Sequence, residues 1–248
     1  MSQLIADIGD PKAPLAFLET KDHRVYIRGY PDSTVRPDLD ITRAEVAAVF
    51  HRLLQEAHRG GSDIPAFGDV PYGAWYGPAI GRLADLGIIL GYSDGTFRPD
   101  NTITRAEFAA IATRFNALAP AGGIVFSDVP MTFWAVGFIH SAYAKGWVNG
   151  YDDGAFRPAQ HITRAEAVKI VNTMLHRLPA RLPDILINPF IDINDSHWAY
   201  VHILEASTEH TYARNGSGKE FWTTHICPVT KELLIHVDEP ELLPPSLQ

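Results

Sequence analysis

Three arginines occupy equivalent positions in the chain and could bind an anion. Arg43, Arg105 and Arg164 each lie in the sequence Ile-Thr-Arg-Ala-Glu. Threonine is a preferred helix N-cap, so each arginine is predicted to be the first residue of a helix. A cation is unfavourable there by about 0.3–1 kcal/mol, because the helix dipole places partial positive charge at that end. A bound carboxylate would compensate, since it would meet the helix N-terminus and a guanidinium able to donate two hydrogen bonds. The alternative is a structural ion pair with an aspartate of the repeats.

Tryptophan and aspartate recur with the same regularity. Each of three phenylalanines is followed by an aspartate after two residues and by a tryptophan after eight, which gives the pairs Asp69 and Trp75, Asp128 and Trp134, and Asp192 and Trp198. An indole face can stack on the apolar face of a sugar ring, and packing in the core or between repeats is the alternative for tryptophan. The aspartates could accept hydrogen bonds from sugar hydroxyls, but a helix N-cap role explains them without a ligand and is the preferred interpretation.

These residues belong to two blocks that alternate along the chain. One block starts with Gly-Tyr, and its arginine follows the glycine by 14 residues in every copy; the copies begin at Gly29, Gly91 and Gly150. The other block runs from the phenylalanine to the tryptophan; its copies begin at Phe67, Phe126 and Phe190. We call the Phe–Trp block with its following helix the A half, and the Gly-Tyr block with its helix the B half. The order is B-A-B-A-B-A, and a long fixed period of this kind indicates a repeat architecture.

Both halves predict helices. In the B half, Asp-Gly or Asp-Ser after Gly-Tyr favours a tight turn, and the following Arg-Pro predicts extended chain up to the helix. A threonine and a glutamate three residues apart fit the capping box in each copy; the pairs are Thr42 and Glu45, Thr104 and Glu107, and Thr163 and Glu166. In the A half, the aspartates are placed as N-caps, and apolar residues follow at helical spacing. The fold class is therefore predicted to be mostly α.

The C-terminal part is predicted to differ from the repeats. Helical spacing continues through Leu204 to about Tyr212, and the turn sequence of residues 215–218 then separates two segments rich in aromatic residues and threonine. This pattern predicts a small β-hairpin, to which the alternating segment 23–27 could add a strand. Residues 237–248 contain three prolines and three acidic residues, which predicts a frayed end.

Composition excludes several classes of function. The 248 residues include 21 Lys and Arg against 29 Asp and Glu, and this acidic balance argues against nucleic-acid binding. Cys227 is the only cysteine, so disulfide scaffolds and cysteine-based zinc ribbons are excluded. No run of apolar residues is long enough to predict a membrane span. Residues 1–12 lack the features of a secretory signal, so the chain is interpreted either as cytosolic or as a piece of a longer secreted protein.

No motif indicates metal binding or catalysis. The eleven histidines include no His-Glu-x-x-His sequence and no pair four residues apart; His202 and His210, for example, are eight apart. We therefore expect scattered histidines without a metal, and no cofactor. The sequence contains no Gly-x-Ser-x-Gly elbow and no phosphate loop. The capping glutamates already have a backbone role, which argues against a glycosidase carboxylate pair.

The two blocks together resemble the surface-layer homology (SLH) domain family over residues 25–212. The resemblance rests on three copies of Gly-Tyr-x-Asp-Gly/Ser with Arg-Pro and Ile-Thr-Arg-Ala-Glu, interleaved with Phe-x-Asp-Val/Ile and Trp. It implies three helical repeats with short extended loops in a pseudo-threefold arrangement. It also implies grooves between repeats that hold secondary cell-wall polysaccharide, typically through a pyruvylated N-acetylmannosamine at its end. Such a protein would be extracellular, in the bacterial cell wall or S-layer.

The order of the halves departs from that family, in which a repeat opens with an A half. This chain opens with a B half, which predicts that its terminal A half folds back to complete the first repeat in a circularly permuted trio. The predicted segments are an N-terminal extension at 1–21, the second half of repeat 1 at 22–59, repeat 2 at 67–116, repeat 3 at 126–178, the completing half-repeat at 190–213, and the hairpin and tail at 214–248.

The resemblance predicts non-covalent anchoring of a secreted bacterial protein to the cell surface, without catalysis. The partner would be an anionic, pyruvylated secondary cell-wall polysaccharide, and other surface-layer subunits are a further possible class of partner. Each groove would combine one residue of each type, in the sets Asp192 with Arg43 and Trp75, Asp69 with Arg105 and Trp134, and Asp128 with Arg164 and Trp198. The alternatives are a lattice or protein-interaction module without glycan binding and a glycan hydrolase.

Overall fold

The computed structural model describes residues 17–61, 67–116 and 125–235. Within these ranges the helices are α1 (Arg43–Leu53), α2 (Glu56–Arg59), α3 (Gly77–Asp85), α4 (Arg105–Thr113), α5 (Val136–Ala144), α6 (Arg164–Leu175) and α7 (Tyr200–Ser207). The strands are β1 (His210–Arg214), β2 (Glu220–Ile226) and β3 (Leu233–Ile235). Most of the predicted extension at 1–21 and the whole predicted frayed end at 237–248 lie outside the described residues. The helices contain more residues than the strands, as the sequence predicts.

The chain divides into two compact units. Unit 1 comprises Met1–Leu18 and Asp40–Thr163, and unit 2 comprises Glu19–Leu39 and Arg164–Gln248. In unit 1, α1 packs against α3 and α4 packs against α5, whereas in unit 2 α6 packs against α7. Each pair joins the helix of a B half to the helix of the A half that follows it. Within each unit, these pairs bury the apolar face of a B-half helix against that of the next A half.

The B-half helices begin where the sequence predicts. Thr42 is the N-cap of α1: its side chain accepts a hydrogen bond from the Glu45 amide, and the Glu45 carboxylate accepts one from the Thr42 amide. Thr104 and Glu107 form the same capping box at α4. Helix α6 begins at Arg164, the third equivalent position. All three arginines are therefore the first residues of their helices, and at α1 and α4 a capping box fixes that start.

A closed set of backbone hydrogen bonds joins the three B halves within unit 1. The isoleucine before each Thr-Arg takes part in it. The Ile41 amide donates to the Ile162 carbonyl, the Ile103 amide to Ile41, and the Ile162 amide to Ile103, at 3.0–3.1 Å. All three side chains are fully buried. Equivalent residues of the three copies therefore make equivalent contacts with one another.

The aspartates of the A halves are not helix N-caps, so that prediction is wrong. The residue before α3 is Tyr76, seven positions after Asp69, and proline occupies the first turn. The two oxygens of Asp69 instead accept the amides of Phe97 and Arg98, both at 2.7 Å. Asp128 accepts two successive amides of the third loop, and Asp192 two of the first. Each aspartate thus joins an A half to a Gly-Tyr loop, because a carboxylate can satisfy two adjacent amides at once.

The Arg-Pro of each Gly-Tyr loop is also not extended as predicted. Arg36, Arg98 and Arg157 have φ between 51° and 57°, in the left-handed region. That conformation is unfavourable for a residue with a Cβ, and the aspartate that grips the neighbouring amides stabilises it here. The arginine side chain adds a contact with the loop tyrosine: in the second loop its guanidinium lies 4.1 Å from the centre of the Tyr92 ring.

The glycine that opens each loop packs against the phenylalanine of an A half. A Cβ placed on Gly91 or Gly150 would lie closer than 3 Å to the ring of Phe67 or Phe126, respectively. In unit 2, a Cβ on Gly29 would meet the ring of Phe190 in the same way. The terminal A half therefore contacts the first loop as the other two A halves contact theirs.

We expect Gly29→Ala to destabilise unit 2 by about 1–3 kcal/mol, because the added methyl overpacks the contact with Phe190 and with the Thr34 carbonyl. Gly216→Ala is the control, since nothing lies within 4 Å of a Cβ there, and it should change stability by less than about 0.5 kcal/mol. Denaturant unfolding of both variants tests the expectation. Equal stabilities would show that Phe190 does not pack on Gly29.

The C-terminal region forms the predicted hairpin and extends it. Strands β1 and β2 pair antiparallel, with Arg214 opposite Glu220 across the turn. The sequence does not predict β3, which pairs antiparallel with β2. Helix α7 ends at Ser207, before the predicted end near Tyr212, and the segment 23–27 contributes one bridge, from His23 to His210, in place of a strand.

Candidate functional site

The guanidinium of Arg43 is almost completely buried in unit 1. Its Nε donates to the Phe97 carbonyl at 2.8 Å and its Nη2 to the Leu90 carbonyl at 3.1 Å. Its Nη1 contacts the Glu107 carboxylate at 3.2 Å. Arg43 thus forms an ion pair within the protein, which is the alternative to ligand binding that the sequence offers. Its partner is a glutamate, whereas the sequence predicts an aspartate. Because three of the five N–H groups are used, Arg43 serves the fold as well as any ligand.

The helix N-terminus behind Arg43 is already occupied by the protein. The Arg43 amide donates to the Asn101 carbonyl and the Ala44 amide to the Pro99 carbonyl, both at 2.9 Å. The next amide, of Glu45, donates to the Thr42 hydroxyl. A carboxylate ligand would therefore meet the guanidinium without these amides, so this part of the sequence argument is wrong. The unfavourable position of the cation is offset by carbonyl oxygens and by Glu107.

The other two arginines make the same kind of contact. Arg105 donates from Nε to the Phe156 carbonyl and from Nη2 to the Asn149 carbonyl. Arg164, in unit 2, donates to the carbonyls of Val35 and Arg28. Each of the three guanidiniums also lies 4.9–5.1 Å from the centre of a loop tyrosine ring; these are Tyr92, Tyr151 and Tyr30. The arginines are therefore held rigidly, which suits ligand recognition and fold stability alike.

The three tryptophans lie at the surface. Trp75, Trp134 and Trp198 are 63%, 57% and 54% exposed. The alternative of pure core packing is therefore wrong for all three. An exposed indole at the same place in each repeat offers a flat apolar face to a ligand from solvent.

Arg43 and Trp134 line the same cavity, of about 230 Å³. Tyr92, Glu107 and Arg114 line it as well, together with aliphatic residues of the second loop and of α4. The Tyr92 hydroxyl donates to Glu107, whose other oxygen is used in the capping box. This space is smaller than the roughly 300–1,000 Å³ of sites for drug-sized ligands, and it would suit a single small unit of a larger ligand.

The charge around this cavity favours an anion. Two guanidiniums, of Arg43 and Arg114, stand against the one carboxylate of Glu107. Burial lowers the pKa of Arg114, whose Nη1 donates to the Ile88 carbonyl. Arginine stays protonated in proteins, so both groups are positive at neutral pH. The combination of net positive charge with an exposed indole is suited to an anionic sugar.

The groove set predicted for Arg105 is wrong in two of its three members, Trp134 and Asp69. Trp134 lines the cavity of Arg43, because the Arg43 side chain reaches forward to the Phe97 carbonyl of the next loop. Asp69 binds the amides of that same loop and is therefore connected to Arg43, not to Arg105. The predicted pairing of Arg43 with Trp75 is wrong as well, because Trp134 lines the cavity of Arg43 and Trp75 does not. The pairing of Asp192 with Arg43 and the set of Arg164 combine residues of both units and stay predictions.

Sequence reasoning missed three residues that line this cavity, namely Tyr92, Glu107 and Arg114. A signal existed for two of them. The tyrosine follows the loop glycine in every copy, and the glutamate ends every Ile-Thr-Arg-Ala-Glu. The sequence explains the tyrosine by the turn and the glutamate by the helix cap. It does not show that both side chains also contact Arg43. Arg114 has no such repeated signal.

Comparison with known proteins identifies the family. The model of the S-layer homology domain matches residues 24–47, 66–109 and 125–168. The chain therefore carries three regions of the S-layer homology domain family.

Relatives with established descriptions carry the same region. Over 213 residues the chain is 35% identical to Cell surface glycoprotein 1 of Acetivibrio thermocellus, covering 81% of this chain and 9% of that protein. Over 210 residues it is 36% identical to the Cellulosome-anchoring protein of the same organism, covering 81% of this chain and 46% of the relative. A Surface layer protein of Brevibacillus choshinensis is 37% identical over 97 residues, which are 37% of this chain and 9% of that protein. The chain thus spans less than half the length of these relatives.

None of the helices in the described parts of the chain is long and apolar enough to span a membrane.

Proposed function

We propose that the chain anchors a bacterial surface protein non-covalently, by binding secondary cell-wall polysaccharide through cavities such as that of Arg43 and Trp134. One observation carries the proposal: the exposed indole of Trp134 stands beside one buried and one half-buried guanidinium, in a cavity large enough for one small unit. Family membership and the printed names of the relatives, a cell surface glycoprotein, an anchoring protein and a surface layer protein, support it. A module of this kind carries out no catalysis.

The ligand of this cavity is an acidic sugar at the end of the polysaccharide. An anionic end group such as a pyruvyl ketal provides the carboxylate for Arg43 and Arg114, while its sugar ring stacks on Trp134.

The ring of hydrogen bonds among Ile41, Ile103 and Ile162 supports a pseudo-threefold relation of the repeats. The contact of Phe190 with Gly29 supports completion of the first repeat by the terminal A half. The protein would act in the cell wall or S-layer, with other surface-layer subunits as further partners.

Binding to purified walls tests the function. The chain should sediment with walls that retain their secondary polymer and remain in solution with walls from which that polymer has been chemically removed. Equal binding to both preparations would contradict polysaccharide recognition. Self-assembly in the absence of walls would favour a lattice module, and release of reducing sugar would require a hydrolase.

We expect Trp134→Ala to weaken binding of a pyruvylated disaccharide to this cavity by about thirtyfold, because loss of a central aromatic contact costs about 2 kcal/mol. The fold should be unaffected, since the side chain is largely exposed. Titration calorimetry measures the affinity. Whole walls should show a smaller loss, because additional sites act together through their effective concentration.

The matched control for this variant is Tyr72→Ala. Tyr72 is also an aromatic residue of unit 1, it is 83% exposed, and it does not line the cavity. It should bind the disaccharide as the unchanged chain does. If Trp134→Ala and Tyr72→Ala bind equally well, the indole takes no part in recognition.

A further inference from the structure

Four buried side chains with metal-ligating groups meet in unit 2, away from the Gly-Tyr loops. They are His23 of the segment before the first loop, Glu205 of α7, His210 of β1 and Glu220 of β2. None is more than 5% exposed. The sequence predicts scattered histidines, because it contains no metal-binding spacing. His23 and His210 are 187 residues apart, and only the fold brings them together. The cluster has no part in the proposed anchoring function.

The four groups point at a common centre. The Nδ1 atom of His23 lies 2.8 Å from Nε2 of His210 and 3.0 Å from Oε1 of Glu205. Nε2 of His210 lies 3.2 Å from the same Glu205 oxygen, and Nδ1 of His23 lies 3.6 Å from Oε1 of Glu220. Tetrahedral zinc with bonds of about 2.0–2.1 Å separates its ligand atoms by about 3.3–3.4 Å. The observed separations bracket that value.

Contacts outside the cluster orient three of the four groups. Nδ1 of His210 lies 2.8 Å from the Thr208 carbonyl, so this nitrogen carries the proton and Nε2 presents its lone pair to the centre. The outer oxygen of Glu205 accepts the indole N–H of Trp222 at 2.9 Å. The outer oxygen of Glu220 accepts a hydrogen bond from Arg214 at 3.0 Å. Partners of this kind hold the ligands of metal sites in place.

The inner atoms are poorly satisfied by the protein itself. The inner oxygens of Glu205 and Glu220 are buried and accept no hydrogen bond from the described residues. Two imidazole nitrogens and two carboxylate oxygens converge, and each offers an electron pair. A single proton on one of the histidines could form a hydrogen bond with only one of the other atoms at a time. A buried polar atom without a partner costs about 1–3 kcal/mol. One dication at the centre would satisfy all four.

Charge at the cluster agrees with the geometry. Two carboxylates and two imidazoles place ligand atoms within 4.8 Å of one another in a buried region. A buried carboxylate is costly unless it is paired or coordinates a metal. A divalent cation would offset both carboxylates, and the two imidazoles would ligate it through nitrogens that carry no proton.

We propose that His23, Glu205, His210 and Glu220 bind one Zn²⁺ ion as a closed, four-ligand structural site. Imidazole nitrogens disfavour the hard cations Ca²⁺ and Mg²⁺, which take oxygen ligands. An adjoining cleft of about 870 Å³, lined in part by both histidines, provides an entry path. The bound ion fastens the hairpin and α7 to the segment that precedes the first loop.

Metal analysis of the full chain, with any affinity tag removed, tests the site. We expect about one zinc per chain after dialysis against Zn²⁺ and almost none after chelation. Free Zn²⁺ at a hundredfold excess over its Kd should raise the melting temperature of the stripped protein by about 5–10 °C. Ca²⁺ and Mg²⁺ should leave that temperature unchanged. Co²⁺ bound in place of zinc should show the intense visible absorption of four-coordinate cobalt.

Variants connect the metal to these residues. Glu205→Gln and His210→Gln should lose zinc, whereas His202→Gln, which removes a histidine of α7 outside the cluster, should retain it. Trp222→Phe keeps a ring stacked on His210 but loses the N–H bond to Glu205, and it should bind zinc about 10–100-fold more weakly even if the ligand variants fail to fold. A wild-type chain that takes up less than about a tenth of an equivalent of zinc and shows no thermal shift would overturn the proposal. So would unchanged zinc affinity in the Trp222→Phe variant.

Discussion

Deletion of Phe190–Gln248 is expected to abolish cooperative unfolding of unit 2 and to cause aggregation. This segment contains α7, which packs on α6 and accepts the amides of Tyr26 and Ile27 at its Ala206 carbonyl. It also contains Asp192, which binds two amides of the first loop. Without it the apolar faces of α6 and of the segment around Tyr26 would be exposed, because each half-repeat buries its face against a neighbour. Light scattering and thermal unfolding by circular dichroism measure the result.

A pair of point variants in α7 separates the loss of packing from the loss of chain length. Leu204 is fully buried and Val201 is 38% exposed. Leu204→Asp should cost more than about 4 kcal/mol because it buries an unpaired charge, whereas Val201→Asp should change stability only slightly. A truncated chain that stays monomeric with unchanged helicity and melting temperature would end the idea that the terminal half completes the first repeat.

Replacing Arg43 by alanine is expected to cost unit 1 about 3 kcal/mol. The change leaves the Glu107 carboxylate and the carbonyls of Phe97 and Leu90 without their donor, and removing one partner of a buried pair is strongly destabilising. Arg43→Lys keeps the charge but cannot donate in three directions from a rigid plane, so it should restore only part of the loss. Urea unfolding of both variants gives the free energies.

The control for Arg43 is Arg98→Ala in the neighbouring loop. Its ion pair with Asp94 is exposed, although hydrogen bonds from Thr96 and Arg98 lower the pKa of Asp94 to about 2. Exposed ion pairs contribute about 0–1 kcal/mol, so the loss should be small. If Arg43→Ala is as stable as Arg98→Ala, the contacts of Arg43 do not support the fold. Binding measured with Arg43→Ala mixes ligand contact with stability, and Trp134→Ala is therefore the cleaner test of recognition.

The sequence predicts those parts of the fold that depend on local chemistry. The capping boxes at Thr42 and Thr104 mark the starts of helices, because both donor and acceptor lie within one turn. The turn at residues 215–218 likewise predicts the hairpin that follows. Regular spacing of the arginines and tryptophans also indicates which residues share a role in the candidate site.

Contacts between distant segments were not predictable in this way. Asp69 looks like an N-cap by type and position, but its actual partners are amides 28 and 29 residues away. The reach of Arg43 to the next loop changes which tryptophan shares its cavity, and spacing alone does not encode the direction of a side chain. The cluster of His23 and His210 is the extreme case, since no motif spans such a separation.

Unit 2 consists of two segments that are far apart in the sequence, and this affects the order in which the chain can fold during synthesis. Its first segment, Glu19–Leu39, is separated from its partners in Arg164–Gln248 by all of Asp40–Thr163. At about 5–20 residues per second, a ribosome needs roughly 8–30 s to pass from residue 39 to residue 190. Unit 1 can close its hydrogen-bonded isoleucine ring before that, as soon as residue 162 has emerged. Assembly is therefore expected to be sequential, with the segment around His23 and Tyr26 among the last to acquire native contacts, because its partners Ala206 and His210 are made late.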